Sequence, residues 1–232
     1  MTTTVITQPN YMPWLGYFEQ IARADVFIFL DSVQYVKREW VNRNRLKGFD
    51  DKPFWLTVPV KVNRRETKID EVLISPDQPQ WKEKHLNSVK MHLGRAAHFQ
   101  EVWPHVETWL NGDAGRLVEL NISGILLFSR LLGLDTRFLR ASDLRASGRK
   151  ESLILNLCKE VGTDVYYSSL GSKVYLEPHE EAFQENGISV VYQDWIHPEY
   201  RQLGNQFVSH LSVLDALMNI GPERTRALLM GG

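Results

Sequence analysis

The stretch TVITQPNYMPWLGYFEQIARADVFIFLD, residues 4–31, contains a complete strand–loop–helix–strand unit. Residues 4–7 are rich in β-branched side chains, and residues 26–30 form the continuous apolar run typical of a strand buried on both faces. Between them, residues 16–23 place their apolar side chains on one helical face. The pattern indicates an α/β fold.

The rest of the chain continues the alternation of strands and helices. Residues 53–60 and 69–75 are predicted to be strands, separated by a charged hairpin or loop. Residues 80–132 are predicted to be helices that form an insertion or subdomain. Because short helices and strands then alternate, the sequence predicts one α/β domain over residues 1–232, with a mostly parallel, Rossmann-like sheet flanked by helices.

Composition and charge exclude several classes of protein. The 232 residues are 43% hydrophobic and 24% charged, and the formal net charge of −1 gives no overall field that recruits nucleic acid or an anionic membrane. No apolar run reaches the roughly 18 residues of a membrane span. No basic segment followed by an apolar core resembles a secretory signal. We expect a cytoplasmic protein without membrane insertion, and we do not expect it to bind nucleic acid.

Cysteine and histidine spacing predicts no metal site. Cys158, the only cysteine, lies in an apolar run and is interpreted as a core residue rather than a nucleophile. Four histidines fall six or seven residues apart on predicted helices, a spacing unlike that of a chelate: His85, His92, His98 and His105.

The loop after the first strand carries polar and aromatic residues that a turn does not need. Ligands of open α/β sheets bind at the carboxyl ends of the strands, where this loop begins. The next helix begins near Gly16, and its free backbone N–H groups suit a phosphate or carboxylate. An ordinary connection sealed by Pro and Trp is the alternative. The predicted substrate-binding residues are Gln8, Asn10, Tyr11, Trp14, Gly16 and Tyr17.

A second polar segment, residues 31–47, begins at the carboxyl end of the next strand. Asp31 is predicted to act as a base on a substrate hydroxyl or amine. The cations can neutralise a phosphate or carboxylate, although a solvated basic loop or a patch for single-stranded nucleic acid stays open. The predicted binding residues are Gln34, Tyr35, Lys37, Trp40, Asn42, Arg43, Asn44 and Lys47.

Three later segments also follow predicted strands. The loop 142–150 combines small residues with cations and suits an anion, and a helix cap made by Ser147 is an equal alternative. His197 follows the last strand and is predicted to reach the same sheet edge as a second candidate base. The predicted binding residues of these later loops are Ser142, Lys150, Ser168 and Gly171.

Five motifs spread over nearly the whole chain are shared with a known family. They are QPNYMPWLGYF (8–18), AD-x5-D-x2-Q-Y-x-K-x2-W-x-NRN (24–44), LTVPV (56–60), YYSSLGSKVYL (166–176) and SVLDALMNIG (212–221). With these motifs the chain resembles the WbqC-like family. The resemblance implies a bacterial cytoplasmic protein encoded with genes for O-antigen and other surface polysaccharides, or for specialised metabolites. It also implies transfer of an amino acid such as glycine to an amino sugar.

Three hypotheses follow. The first is an enzyme that joins an amino-acid or acyl donor to an amino sugar carried on a nucleotide or another phosphate-bearing metabolite, with Asp31 or His197 as base. The second is an ATP-dependent ligase or nucleotidylyltransferase, with ATP as the candidate cofactor. The first loop distantly resembles the opening of such enzymes, with Trp14 and Tyr17 in place of their signature histidines. The third is a non-catalytic partner in a polysaccharide-assembly complex.

Overall fold

The strands and helices of the chain were assigned from a computed structural model, which describes residues 1–62 and 64–231. The strands are β1 (Thr3–Thr7), β2 (Val26–Phe29), β3 (Arg43–Lys47), β4 (Pro53–Thr57), β5 (Val60–Lys61), β6 (Leu73–Ile74), β7 (Arg137–Arg140), β8 (Val165–Ser168) and β9 (Ser189–Tyr192). The helices are α1 (Leu15–Arg23), α2 (Trp81–Leu93), α3 (Phe99–Asn111), α4 (Leu117–Leu131), α5 (Glu151–Val161), α6 (Lys173–Leu176), α7 (Glu180–Glu185), α8 (Val213–Ile220) and α9 (Pro222–Leu229).

Within the described residues, a five-stranded sheet runs in the order β7-β2-β1-β8-β9, and every pair in it is parallel. The chain builds one half of this sheet outward from β1 to β7, then crosses over to add β8 and β9 on the other side of β1. This order places a topological switch point between β1 and β8. The predicted Rossmann-like α/β fold in a single domain is confirmed.

Alternating side chains of the sheet enter two apolar layers. Val5, Phe27 and Phe29 pack in the layer that holds α1, α4 and α8, whereas Ile6 and Ile28 pack in the layer that holds α5 and α7. Strands covered on both faces are fully apolar, which explains the run predicted for β2. The helical middle of the chain, α2 to α4, lies in the first layer and shares its core with the sheet.

Two segments differ from the sequence prediction. The polar segment RNRLK, taken for part of a binding loop, is β3, which pairs antiparallel with β4 outside the parallel sheet. The strand predicted at 69–75 is instead a single 3₁₀ turn, Ile69–Glu71, followed by the two-residue β6. Both errors arise where long-range pairing rather than local periodicity determines the structure. Among the described residues, no helix is both long and apolar enough to cross a membrane.

Candidate functional site

A groove of about 370 Å³ opens at the carboxyl ends of β1 and β8, where the sheet order reverses. We call it the switch-point groove. Its polar lining is formed by amide and hydroxyl side chains, with Trp40 at its wall and Glu39 as its one charged group among the described residues. Those neutral polar side chains are Thr7, Gln8, Asn10, Gln20, Tyr166, Tyr167, Ser168, Ser169 and Tyr175. Open α/β sheets bind ligands at this position.

A second, larger groove of about 900 Å³ lies between residues 66–70 and residues 141–153. We call it the charged groove. Arg149 and Lys150 line it from the loop before α5, and Lys68, Glu66 and Asp70 line it from the other segment. Cations and carboxylates therefore face one space, in contrast to the neutral switch-point groove.

Gln8 lines both grooves, so the two meet at the carboxyl end of β1. Around this junction, four of the five polar segments predicted from sequence come together. Asn10, Trp40 and Ser168 line the switch-point groove, and Gln34, Ser142 and Lys150 line the charged groove. Together with Gln8, these six residues make seven predicted residues that share one continuous surface.

Other predicted residues of the first loop are used in packing. Tyr11 is fully buried, and its hydroxyl lies 2.8 Å from Nδ1 of His85. The Tyr17 hydroxyl donates to the backbone oxygen of Gln8 at 3.0 Å and so fixes the strand end beneath the junction. A β-carbon on Gly16 would overlap the Trp14 indole, so glycine at this position makes room for that ring.

The Asp31 carboxylate is fully buried and surrounded by donors. Arg140 Nε lies 2.8 Å from Oδ2, and Ser142 donates to Asp31 through its backbone N–H at 2.9 Å and its hydroxyl at 2.8 Å. Arg140 also contacts Glu119 at 3.0 Å. This network ties the end of β2 to the end of β7, and it orients the loop that forms one wall of the charged groove.

The side-chain nitrogens of Asn42, Asn44 and Lys47, in β3 and just before it, also donate within the protein. Asn42 donates to the backbone oxygen of Val58, and Asn44 donates to those of Tyr11 and Met12. Lys47, which is 6% exposed, donates to two backbone oxygens of the 203–206 loop and pairs with Asp51 at 2.9 Å. These side chains hold loops in place around the grooves.

The exposed face of β3 and β4 carries a layer of indoles and guanidinium groups. Trp40 and Trp55 lie with ring centroids 5.2 Å apart, Arg43 stacks 4.1 Å over Trp55, and Arg45 lies 5.3 Å from Trp40. We call this set the Trp–Arg layer; Trp40 is its member that lines the switch-point groove, and the other three side chains pack behind or beside Trp40.

Tyr35 and Lys37 line a separate recess with Arg64 and Arg65, to which Gln34 also contributes. Burial raises the pKa of Tyr35 to about 12, so this phenol is neutral at physiological pH. Gly171 is exposed and lines neither groove. The predicted helix cap at Ser147 is not formed. The N-cap residue of α5 is Lys150, whose φ of 52° lies in the left-handed region.

His197 lies in an aromatic cluster away from both grooves. Its ring stacks on Trp14 at 6.0 Å and lies 4.9 Å from the ring of His210, whose backbone N–H donates to His197 Nε2 at 3.3 Å. Burial lowers the pKa of His197 to about 4. The ring is therefore neutral at pH 7, but it is not at the junction where the sequence predicted it.

A buried polar network beside the switch-point groove was not predicted. Glu19 is fully buried on α1, and its carboxylate accepts hydrogen bonds from the Tyr167 hydroxyl at 3.1 Å and from Gln193 Nε2 at 2.7 Å. Gln20 Nε2 lies 3.4 Å from Gln193 Oε1. The available sequence signal was Glu19, a charged residue on the buried face of the first helix, because a buried charge requires hydrogen-bonding partners.

Cys158 is completely buried, and burial raises the pKa of its thiol to about 12, as fits a core residue. Among the described residues, no three His, Cys, Asp or Glu side chains cluster as metal ligands.

Comparison with known proteins gives one family and one close curated relative. The model of the WbqC-like protein family matches residues 8–227. A protein of Mycobacterium tuberculosis, described as uncharacterized protein Rv1507c, is 35% identical over 226 residues, which cover 96% of each chain. No solved structure matches the chain.

Proposed function

Since the chain belongs to the WbqC-like protein family, we propose that it is a bacterial enzyme of surface-polysaccharide or specialised-metabolite biosynthesis that transfers an amino-acid or acyl group to a nucleotide-linked amino sugar. The expected cytoplasmic location is part of this proposal. The biosynthetic context comes from the family resemblance, and the substrate class comes from the two grooves.

The switch-point groove suits the uncharged part of such a substrate. Its amides and hydroxyls can bond to the base and ribose, and Trp40 offers an aromatic face for stacking. With Glu39 as its one charged lining residue among those described, this groove does not favour phosphate.

The charged groove suits the remaining part. Arg149 and Lys150 can neutralise phosphate, and Asp70, the partly buried carboxylate of this lining, can receive a sugar ammonium group. The two grooves meet at Gln8. This arrangement matches a substrate that has a neutral nucleoside at one end and carries a phosphate and an ammonium group beyond it.

The observation that carries the proposal is this meeting of a neutral and a charged groove at the topological switch point. It also gives Asp31 a role as a positioning residue. Its bonds to Ser142 and Arg140 fix the loop that presents Arg149 and Lys150.

The test is calorimetric titration of the purified protein with UDP-glucosamine. We expect binding that weakens about tenfold or more in an Arg149→Ala, Lys150→Ala double variant, since each loses a charge-assisted contact to phosphate. Arg145→Ala is the matched control, because Arg145 is exposed on the same loop but does not line the groove. Incubation with aminoacyl and acyl donors, followed by mass spectrometry of the sugar, then tests for transfer.

The outcomes separate the candidate functions. Binding of UDP-glucosamine that depends on Arg149 and Lys150 supports the proposal. Binding of Mg-ATP with release of pyrophosphate, in the absence of binding to the sugar nucleotide, would replace it with the ligase function. Binding of neither would reject both and leave the partner-protein hypothesis.

A further inference from the structure

Two aspartates lie side by side at the carboxyl end of β2, and their surroundings differ. The Asp70 backbone N–H donates to the backbone oxygen of Asp31 at 3.1 Å, so the residues are in direct contact. The Asp31 carboxylate receives three donors from Arg140 and Ser142. The Asp70 oxygen Oδ1 is shielded from solvent and accepts no hydrogen bond from any described residue.

The Asp70 side chain lines the charged groove and is only partly buried, so the carboxyl group can meet a ligand there. Its charged neighbours are Asp31 and Glu71, which are anionic, and Lys68 and Arg140, which are cationic. Burial, followed by repulsion from Asp31, raises the pKa of Asp70 above its ordinary value. A carboxylate short of donors is a stronger base than a carboxylate saturated with them.

Backbone pairing places Asp70 at this position. Tyr35 N–H donates to the Thr67 oxygen and Ile69 N–H donates to the Val33 oxygen, each at 2.9 Å, so the segment before Asp70 lies along the segment that follows Asp31. Asp70 follows this paired segment and lines the same groove as Arg149 and Lys150.

We propose that Asp70, rather than Asp31, is the catalytic base that touches the substrate amine in the charged groove. This inference rests on the proposed function and names the residue that the transfer step needs. Asp31 supplies the fixed negative neighbour and positions Ser142 and Arg140.

The reaction is balanced as follows. The sugar ammonium gives one proton to the Asp70 carboxylate, and the freed nitrogen lone pair forms the C–N bond with the acyl carbon of an activated donor, a thioester or acyl phosphate. The bond from that carbon to sulfur or phosphate oxygen breaks, and the leaving group departs with its electron pair. The leaving group takes a second proton from the nitrogen, and Asp70 releases its proton to solvent.

The experiment compares UDP-glucosamine with UDP-glucose, which has a hydroxyl in place of the amine, in the wild type and in Asp70→Asn. We expect the wild type to prefer the amine by about tenfold, as for one charged contact. In Asp70→Asn, we expect equal binding of both probes, with UDP-glucose affinity unchanged. Unchanged UDP-glucose binding also shows that the variant is folded.

Glu66→Gln is the matched control, since Glu66 is an exposed carboxylate that lines the same groove. It should keep the amine preference. If Asp70→Asn retains the preference, or Glu66→Gln loses it, the assignment of Asp70 is overturned while the proposed function stands. If the wild type binds neither UDP-glucosamine nor UDP-glucose, the proposed function itself is rejected.

Once a donor is identified, turnover gives a second readout. Asp70→Asn should lower kcat by about 100-fold or more, in the range of general-base catalysis, with a smaller change in KM for UDP-glucosamine. Asp70→Glu should recover part of kcat, because it restores the carboxylate. A kcat for Asp70→Asn within a few fold of the wild-type value would show that Asp70 is not the catalytic base.

Discussion

Three donors surround the Asp31 carboxylate: Arg140 Nε, the Ser142 backbone N–H and the Ser142 hydroxyl, all within 2.9 Å. The sequence placed this residue correctly at the end of β2 and interpreted it as a base. The distinction between a saturated carboxylate and an unsatisfied one depends on Arg140 and Ser142, which are more than 100 residues away in the chain. No local pattern contains that information.

The saturated network predicts a large effect of Asp31→Asn on folding. The substitution removes a charge that pairs with Arg140 and places an amide near the donors of Ser142, so we expect a loss of about 3 kcal/mol in the free energy of unfolding. Ser142→Ala removes one hydroxyl contact and should cost about 1 kcal/mol. Urea denaturation of both variants measures the difference. An Asp31→Asn protein as stable as Ser142→Ala would contradict the structural role and return Asp31 to consideration as the base.

The antiparallel ribbon of β3 and β4 is the element that the sequence described least well. The residues of β4 lie within the strand predicted at 53–60, whereas those of β3 were interpreted as a binding loop because they continue the run of cations and aromatics that follows Asp31. The structure resolves the pattern: Leu46 faces the core, while Arg43 and Arg45 stack on indoles at the surface. Pairing with β4 therefore accounts for these side chains better than solvation of a loop.

The Trp–Arg layer predicts a role for Trp55, which touches Trp40 but does not line the switch-point groove. Trp55→Ala should free Trp40 and Arg43 and weaken UDP-glucosamine binding about threefold to tenfold, the scale of one exposed aromatic or cation–π contact. Trp55 is 42% exposed, so the fold should persist. Trp55→Phe keeps a ring under Arg43 and should stay near wild type in calorimetry. Equal affinity of the alanine variant would show that the layer does not support the groove.

At the scale of the whole molecule, the sequence predicted the α/β class and the Rossmann-like parallel sheet, because apolar runs and helical periodicity are local signals. It also selected seven residues that now share one surface around Gln8. The order of strands, which decides where that surface lies, comes from the crossover between β7 and β8. Asp70 escaped notice for the same reason: its segment was predicted to be a strand, and its position depends on pairing with residues 33–35.

Buried histidines predict how stability of the whole protein depends on pH. Burial lowers the pKa of His85 and of His197 from 6.5 to about 4. Between pH 4 and pH 6.5, these two rings bind protons in the unfolded chain but not in the folded chain. Their contribution to stability is therefore fully present above pH 6.5 and is lost as the pH falls toward 4. Asp215 acts in the opposite direction. Burial raises its pKa from 3.8 to about 6, and the cost of its ionised form disappears as the pH falls through that interval.

Burial also lowers the pKa of His92 and of His210 and raises that of Asp70. Four histidines therefore oppose two aspartates, and the net free energy of unfolding should decrease on acidification from pH 7 to pH 4.5. Urea denaturation at several pH values measures this slope. In His85→Gln, one of the titrating groups is gone, and the decrease between pH 6.5 and 4.5 should be smaller than in the wild type. His105→Gln, at an exposed position on α3, is the control for the histidine-to-glutamine change itself. Stability that rises as the pH falls through this interval would mean that the raised pKa values of the aspartates outweigh the lowered pKa values of the histidines.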